Sequence, residues 1–171
     1  MRITELNTNE YQPFHQTYLS TLGEIDLMEG LRQGKEDFIS FVKAIPTDRL
    51  LHAYAEGKWN ILEVLVHVLD TERIFQYRAL RFYRQDPTPL PGFDQDIYVP
   101  FSEAENRTKE GIIEEYGHIR DSTISLFRSF REGALLRTGM ASGGIVSVGA
   151  IGFIISGHQQ HHLNILQQRY L

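Results

Sequence analysis

The chain has 171 residues, 42% hydrophobic and 23% charged, a length and balance that support one folded unit with a sizeable core. A formal net charge of −5 argues against a protein that grips a phosphate backbone. With no cysteine, disulfides, zinc–thiolate sites and a cysteine nucleophile are excluded, so any thiol chemistry needs a thiol brought in by a co-substrate.

The N-terminal stretch MRITELNTNEYQPF has no basic region followed by an apolar run, so no signal peptide is expected. After an irregular start around Tyr11 to Thr21, the segment Asp26 to Ala44 places Leu27, Leu31, Phe38, Val42 and Ile45 near helical spacing, and Pro46 stops it. The connector TDRLLHAYAEGKW has little pattern. A second helix is expected from Asn60, its N-cap, to about Arg84. The segment RQDPTPLPGFDQDIYVP holds Pro87, Pro89, Pro91 and Pro100 and must be a long loop, of the kind that often carries function. A third helix is expected from Ser102, with Glu105 completing an S-x-x-E capping pattern, to about Arg131. The glycine-rich REGALLRTGMASGGIVS leads into a final helix from about Val148 to Arg169. ALLRT and GGIVS are the only stretches that tempt as strands. The most apolar segment, GGIVSVGAIGFIIS, falls short of the roughly 20 residues a membrane span needs, and a cytoplasmic protein is the default expectation. Four long helices with apolar stripes predict an all-α four-helix bundle, a single domain over residues 1–171.

Three of the seven histidines fall in the stretch GHQQHHL at 157–163. On the last helix, His158 has Ile151, Ile154 and Ile155 on its N-terminal side and His162 and Ile165 on its C-terminal side, all at helical steps. It therefore lies within the core-facing stripe. A buried imidazole there must be hydrogen-bonded or ligated, because an unpaired buried polar group costs about 1–3 kcal/mol. His158 and His162 project to one side at a common metal-ligand spacing. His161 is offset from that line and is the weaker ligand. The residue after His158 is Gln159, so the general base of a zinc protease is missing. In the second helix, the run from Ile61 to Leu69 is apolar except for Glu63 and His67. A lone histidine on an apolar helix is ordinarily a satisfied core residue. Two buried helices with inward histidines nevertheless share one economical explanation, in which three neutral imidazoles from His67, His158 and His162 converge on a divalent metal with open positions for water or substrate. Asp70, one turn after His67, is either an acceptor behind that site or a surface carboxylate paired with Arg73 or Lys58. Glu72 is expected to face solvent.

Other constellations do worse. A di-iron carboxylate bundle wants two Glu-x-x-His motifs and two further glutamates, and the one motif here, Glu115 to His118, reads as surface. The glycines of ASGGIVSVGAIG lack the Gly-Lys-Ser/Thr ending of a phosphate loop and are expected to permit close packing or a turn. Ser156 has no recognisable triad partners. His15 and His52 read as structural or exposed.

The stretch GKWNILEVLVHVLDTERIFQYRALRFYRQDPTPLPGFDQDIYV, with GHQQHHLNILQQRY far downstream, resembles the DinB-like family of four-helix metalloproteins. The likeness covers about residues 10 to 171. It implies a bundle with antiparallel neighbours and a three-histidine site whose ligands, carried over by position, are His67, His158 and His162, with His161 close by. It further implies a bound divalent ion, zinc or nickel first and iron, copper or manganese less so, and a homodimer. Characterised relatives include S-transferases that use bacillithiol or mycothiol, and mycothiol-dependent isomerases. The expected activity is therefore metal-dependent transfer of a low-molecular-weight thiol to an electrophilic small molecule. The alternatives are a metal-dependent hydrolase and a non-enzymatic metal-binding bundle. No nucleic-acid or membrane partner is expected, and no catalytic residue beyond the metal site is identified.

Overall fold

The computed structural model describes all 171 residues, and its main body is a bundle of four long helices. The first short helix, α1 (Gln16–Leu19), follows a run of 3-10 turns. The helix α2 (Leu27–Ala44) starts where the Asp26 carboxylate accepts the backbone N–H of Met28, and its buried stripe is Leu27, Leu31, Phe38 and Val42. The helix α3 (Ile61–Tyr83) opens on a reciprocal capping box, Asn60 accepting from the Glu63 N–H at 3.0 Å and Glu63 from the Asn60 N–H at 2.7 Å. A short α4 (Gln95–Tyr98) lies inside the proline-rich segment.

The helix α5 (Lys109–Arg128) begins seven residues later than the S-x-x-E pattern predicts. Glu103 sits in the left-handed region (φ 49°), which breaks the chain there. The working cap is Thr108, whose hydroxyl accepts the Gly111 N–H at 3.0 Å. Two strands, β1 (Thr138–Ala141) and β2 (Gly144–Ser147), form an antiparallel hairpin. Its two-residue turn, Ser142–Gly143, has positive φ at both positions, as a primed turn requires. Of the two strand-like stretches, GGIVS thus becomes β2, whereas ALLRT only reaches β1 at Thr138. The last helix, α6 (Val148–Arg169), is capped by Ser147 and is buried on every side from Val148 to Gln159, which makes it the central element.

The helices pair in an order their sequence does not suggest. α6 packs on α2 and α3, and α5 also packs on α2 and α3, so α2 and α3 face each other across the diagonal. Leu27 meets Gly152 and Gly34 meets Gln159, so α2 and α6 run parallel. Arg73 meets Glu115 and Gln76 meets Ser122, so α3 and α5 are parallel as well. The other two contacts are antiparallel: Lys109 reaches the Ile45 carbonyl while Lys35 pairs with Asp121, and Trp59 meets Tyr170 while His67 meets His158.

The apolar core divides into two halves. One gathers Leu27, Phe75, Phe82 and Phe153, and the other Phe38, Leu65, Ile112 and Leu166. Between them lies a buried polar layer that includes His67, Thr71, Glu72, Arg120, Thr123, His158 and Gln159. No helix is long and apolar enough to cross a membrane.

Candidate metal centre

The apolar run of α3 buries His67, and the all-round burial of α6 carries His158 inward with it, 6% and 4% exposed. His162 follows one turn later. The three rings meet through their Nε2 atoms: His67 to His158 at 3.0 Å and His162 to His158 at 3.1 Å, with all three ligand nitrogens within 4.8 Å of one another. Nitrogens held about 2.0–2.1 Å from a tetrahedral zinc stand about 3.3 Å apart, close to the two Nε2 separations from His158. Burial pushes His67 down to about 4; burial and the neighbouring His67 and His161 push His162 down to about 3. His158 is held well below its ordinary value, by burial first and then by the surrounding histidines. All three are neutral at pH 7, the form in which an imidazole ligates a metal.

The supporting contacts fix these rings. The Thr71 hydroxyl, one turn beyond His67, lies 3.4 Å from His67 Nδ1, placed to accept its proton and leave Nε2 with a free lone pair. Trp59 packs 5.1 Å from the His67 ring, and Tyr18 stands edge-on to His158 at 5.1 Å. Tyr18 comes this close because residue 157 is glycine: a Cβ there would lie 2.5 Å from the Tyr18 carbonyl oxygen. His161 leans on Tyr18 at 5.3 Å and stays outside the cluster, in keeping with its offset on the helix.

Asp70 makes no hydrogen bond to the three rings. Its carboxylate lies 3.6 Å from Arg73, the surface pairing weighed from the sequence, while sharing a small hollow with His67 and Glu63. Burial raises the Asp70 carboxyl, against the pull of Arg73 and Arg107. Glu72, expected in solvent, is instead 3% exposed. α3 is surrounded on this side by α5, whose Arg120 (0% exposed) binds Glu72 in bidentate fashion at 2.7 and 2.9 Å. Arg120 also donates to the Leu31 carbonyl and to Gln159 Oε1, and Gln159 accepts from Tyr116 and donates to the Gly34 carbonyl. Gln159 therefore ties α6 to α2 and α5, turned away from the histidines. His118 is exposed and Glu115 pairs with Arg73 and Arg107, so that motif is surface, as expected.

The centre borders several hollows. His158 is in the wall of a cavity of about 270 Å³ shared by Phe75 and Arg78 of α3, Phe93 of the proline-rich segment, His15 and Ser142. His162 is in the wall of a wider one, about 560 Å³, with Trp59, Lys58, Asp96 and Arg169. The proline-rich segment is fastened beside the first cavity: Leu90 donates to the Met140 carbonyl at 2.9 Å and accepts from the Ser142 N–H at 3.1 Å, extending the hairpin by one rung. His15, Thr71, Tyr18 and Arg78 line the cavity beside the candidate centre, and the sequence reading did not place them there. Only Thr71, at i+4 from His67, carried a positional signal.

The family model of the DinB superfamily matches residues 31–166, four-fifths of the chain, including α3 and most of α6 with their histidines. The chain belongs to the DinB superfamily. Over 164 residues it is 24% identical to OB0413 of Oceanobacillus iheyensis, a protein named as a candidate metal-dependent hydrolase; the match spans 95% of this chain and 84% of that one. YfiT from Bacillus subtilis, described as a probable metal-dependent hydrolase with an unusual four-helix bundle topology, superposes with a TM-score of 0.68 at 13% identity, over 96% of this chain and 90% of YfiT. The mycothiol-dependent maleylpyruvate isomerase gives a TM-score of 0.65 at 12% identity, over 94% of this DinB chain and 63% of the isomerase. Both solved structures share its fold.

Proposed function

We propose that this DinB protein is a metal-dependent enzyme that transfers a small thiol to an electrophilic molecule, with His67, His158 and His162 holding a divalent ion. Three neutral imidazoles suit zinc or nickel, and the spacing of their Nε2 atoms supports that assignment. A divalent ion there supplies Lewis acidity, which favours the deprotonated, nucleophilic form of a thiol.

The observation that carries the two-reactant reading is the pair of hollows meeting at the cluster, one walled by His158 and the other by His162. Two reactants can approach the same three histidines from different sides. The chain's own residues set the stage: Thr71 fixes the His67 ring, Tyr18 and Phe75 pack edge-on against the His158 ring, and the charged rim of Lys58, Asp96 and Arg169 suits a polar thiol carrier.

Hydrolysis is the second reading, favoured by the names of two relatives and by Asp70, a carboxylate raised by burial that shares a hollow with His67. Purified protein, with metal content measured for it and for His158→Ala, is to be assayed on a panel of electrophiles with and without low-molecular-weight thiols. The expected outcome is stoichiometric metal lost in the variant and turnover that needs thiol. Thiol-independent turnover supports hydrolysis, and a variant with wild-type metal content and affinity overturns the ligand assignment.

A further inference from the structure

Arg78 sits on α3, eleven residues beyond His67, and its side chain is unlike every other buried cation in the molecule. It is 6% exposed, yet it takes part in none of the protein's ion pairs. Arg120, the comparable buried guanidinium, has Glu72. Of the five N–H donors of Arg78 only those on Nη2 have partners, the Pro91 carbonyl and the Ser142 hydroxyl, each at 3.0 Å and both neutral. The donors on Nε and Nη1 make no hydrogen bond within the protein, and Arg78 lines the same cavity as His158. Burying a charge without a counter-charge is costly, and proteins rarely keep one without a use.

The guanidinium is also held in place. Its central carbon lies 5.6 Å from the Phe75 ring and 6.0 Å from the Phe93 ring, one ring from the bundle and one from the proline-rich segment. His15 lines the same cavity. It is 4% exposed, its Nδ1 has no hydrogen-bond partner, and burial together with Arg78 keeps it neutral. No other charged residue lines the cavity, whose remaining walls are aromatic, aliphatic or neutral polar. A single fixed cation with a free planar fork, in a hollow of about 270 Å³, matches one carboxylate on a small partly apolar molecule better than a dianionic phosphate.

We infer that Arg78, supported by His15, is the carboxylate-binding subsite of this enzyme, and that its electrophilic substrate is a small organic monoacid. Phe75 lies between the two ends of the cavity, its ring centre 6.4 Å from that of His158. A molecule anchored on Arg78 therefore lies along Phe75 and presents its other end towards the histidine cluster. The orientation rests on the proposed reaction at that cluster, whereas the subsite itself needs no metal.

The test uses benzoate, its neutral isostere benzamide, and inorganic phosphate, titrated by ligand-observed NMR and calorimetry into metal-free and metal-loaded protein. Metal content is measured in parallel. Metal-free wild type is expected to bind benzoate at least about tenfold more tightly than benzamide, as a charge-assisted fork dictates, and Arg78→Met is expected to lose that preference while keeping its metal. Equal binding of acid and amide by the metal-free wild type overturns the inference, even if the variant fails to fold. So does an Arg78→Met protein that keeps the preference, or phosphate binding more tightly than benzoate. An Arg78-dependent preference in a protein that holds no metal supports the subsite while overturning the metal-centre reading.

Discussion

Replacing Glu72 with alanine tests the buried polar layer most directly. Glu72 accepts from Arg120 twice and from the Thr123 hydroxyl at 2.8 Å. Thr123 also donates to the Ile119 carbonyl, so its loss is minor. Arg120 is the consequential group: it is fully buried and would keep only the Leu31 carbonyl and Gln159, both neutral. Removing one partner of such a pair leaves an uncompensated charge and costs about 3–5 kcal/mol. For a chain of this size each kcal/mol shifts Tm by about 2–4 °C, so a fall of about 6–20 °C is expected. Urea and thermal unfolding of chelator-treated protein give the value free of any metal contribution. The double variant Glu72→Leu with Arg120→Met removes both charges and is expected to recover most of the loss, because an apolar pair of similar volume avoids the desolvation of two ions. A single variant within about 1 kcal/mol of wild type, or a double variant less stable than the single, refutes the reasoning.

Three further outcomes are expected. Gly157→Ala drives a methyl into the Tyr18 carbonyl and should cost about 1–3 kcal/mol, with the Tyr18 ring displaced from His158; unchanged urea stability would show that the close approach is not needed. Thr71→Val keeps the shape but removes the acceptor at His67 Nδ1, and metal affinity measured by competition with a chelator should fall about tenfold or more with little change in folding stability. The metal-free protein should lose stability on acidification. His67 and His15 are lowered to about 4 and His162 to about 3, so between these values and about 6.5 the unfolded chain binds more protons than the folded one. This contribution is complete above pH 6.5 and declines as pH falls towards 4. A flat profile of urea stability between pH 7 and 4.5 would contradict the burial of these imidazoles.

Much of this could be read from the chain because it rests on local chemistry. The span of α6 follows from Ser147 and a continuous apolar run, and the pairing of His158 with His162 follows from helical spacing. Placing His67 with them needed only the inference that its apolar helix is buried. What escaped depends on neighbours distant in sequence. Glu72 faces inward because Arg120 meets it from α5, a partner nothing around Glu72 announces. The start of α5 was misplaced because Ser102 and Glu105 imitate a cap, while the backbone at Glu103 turns left-handed and Thr108 does the capping. His15 and Arg78 share a cavity with His158 because the N-terminal turns, the hairpin and the proline-rich segment close on the same face of α3.

The diagonal placement of consecutive long helices has a consequence for how the protein acquires its site. In an up-and-down bundle, each helical hairpin buries its own interface as it is made. Here α2 reaches its two packing partners only when α5 and α6 arrive, and α3 waits for the same two. The contacts that build the core are therefore long in sequence, which slows folding relative to bundles of local hairpins. The three clustered histidines inherit this dependence, since α3 supplies His67 and α6 supplies the other two, His158 lying 91 residues further along the chain. Until α6 docks on α3, His67 stays apart from His158 and His162, so the closed cluster reports that these two distant segments have come together.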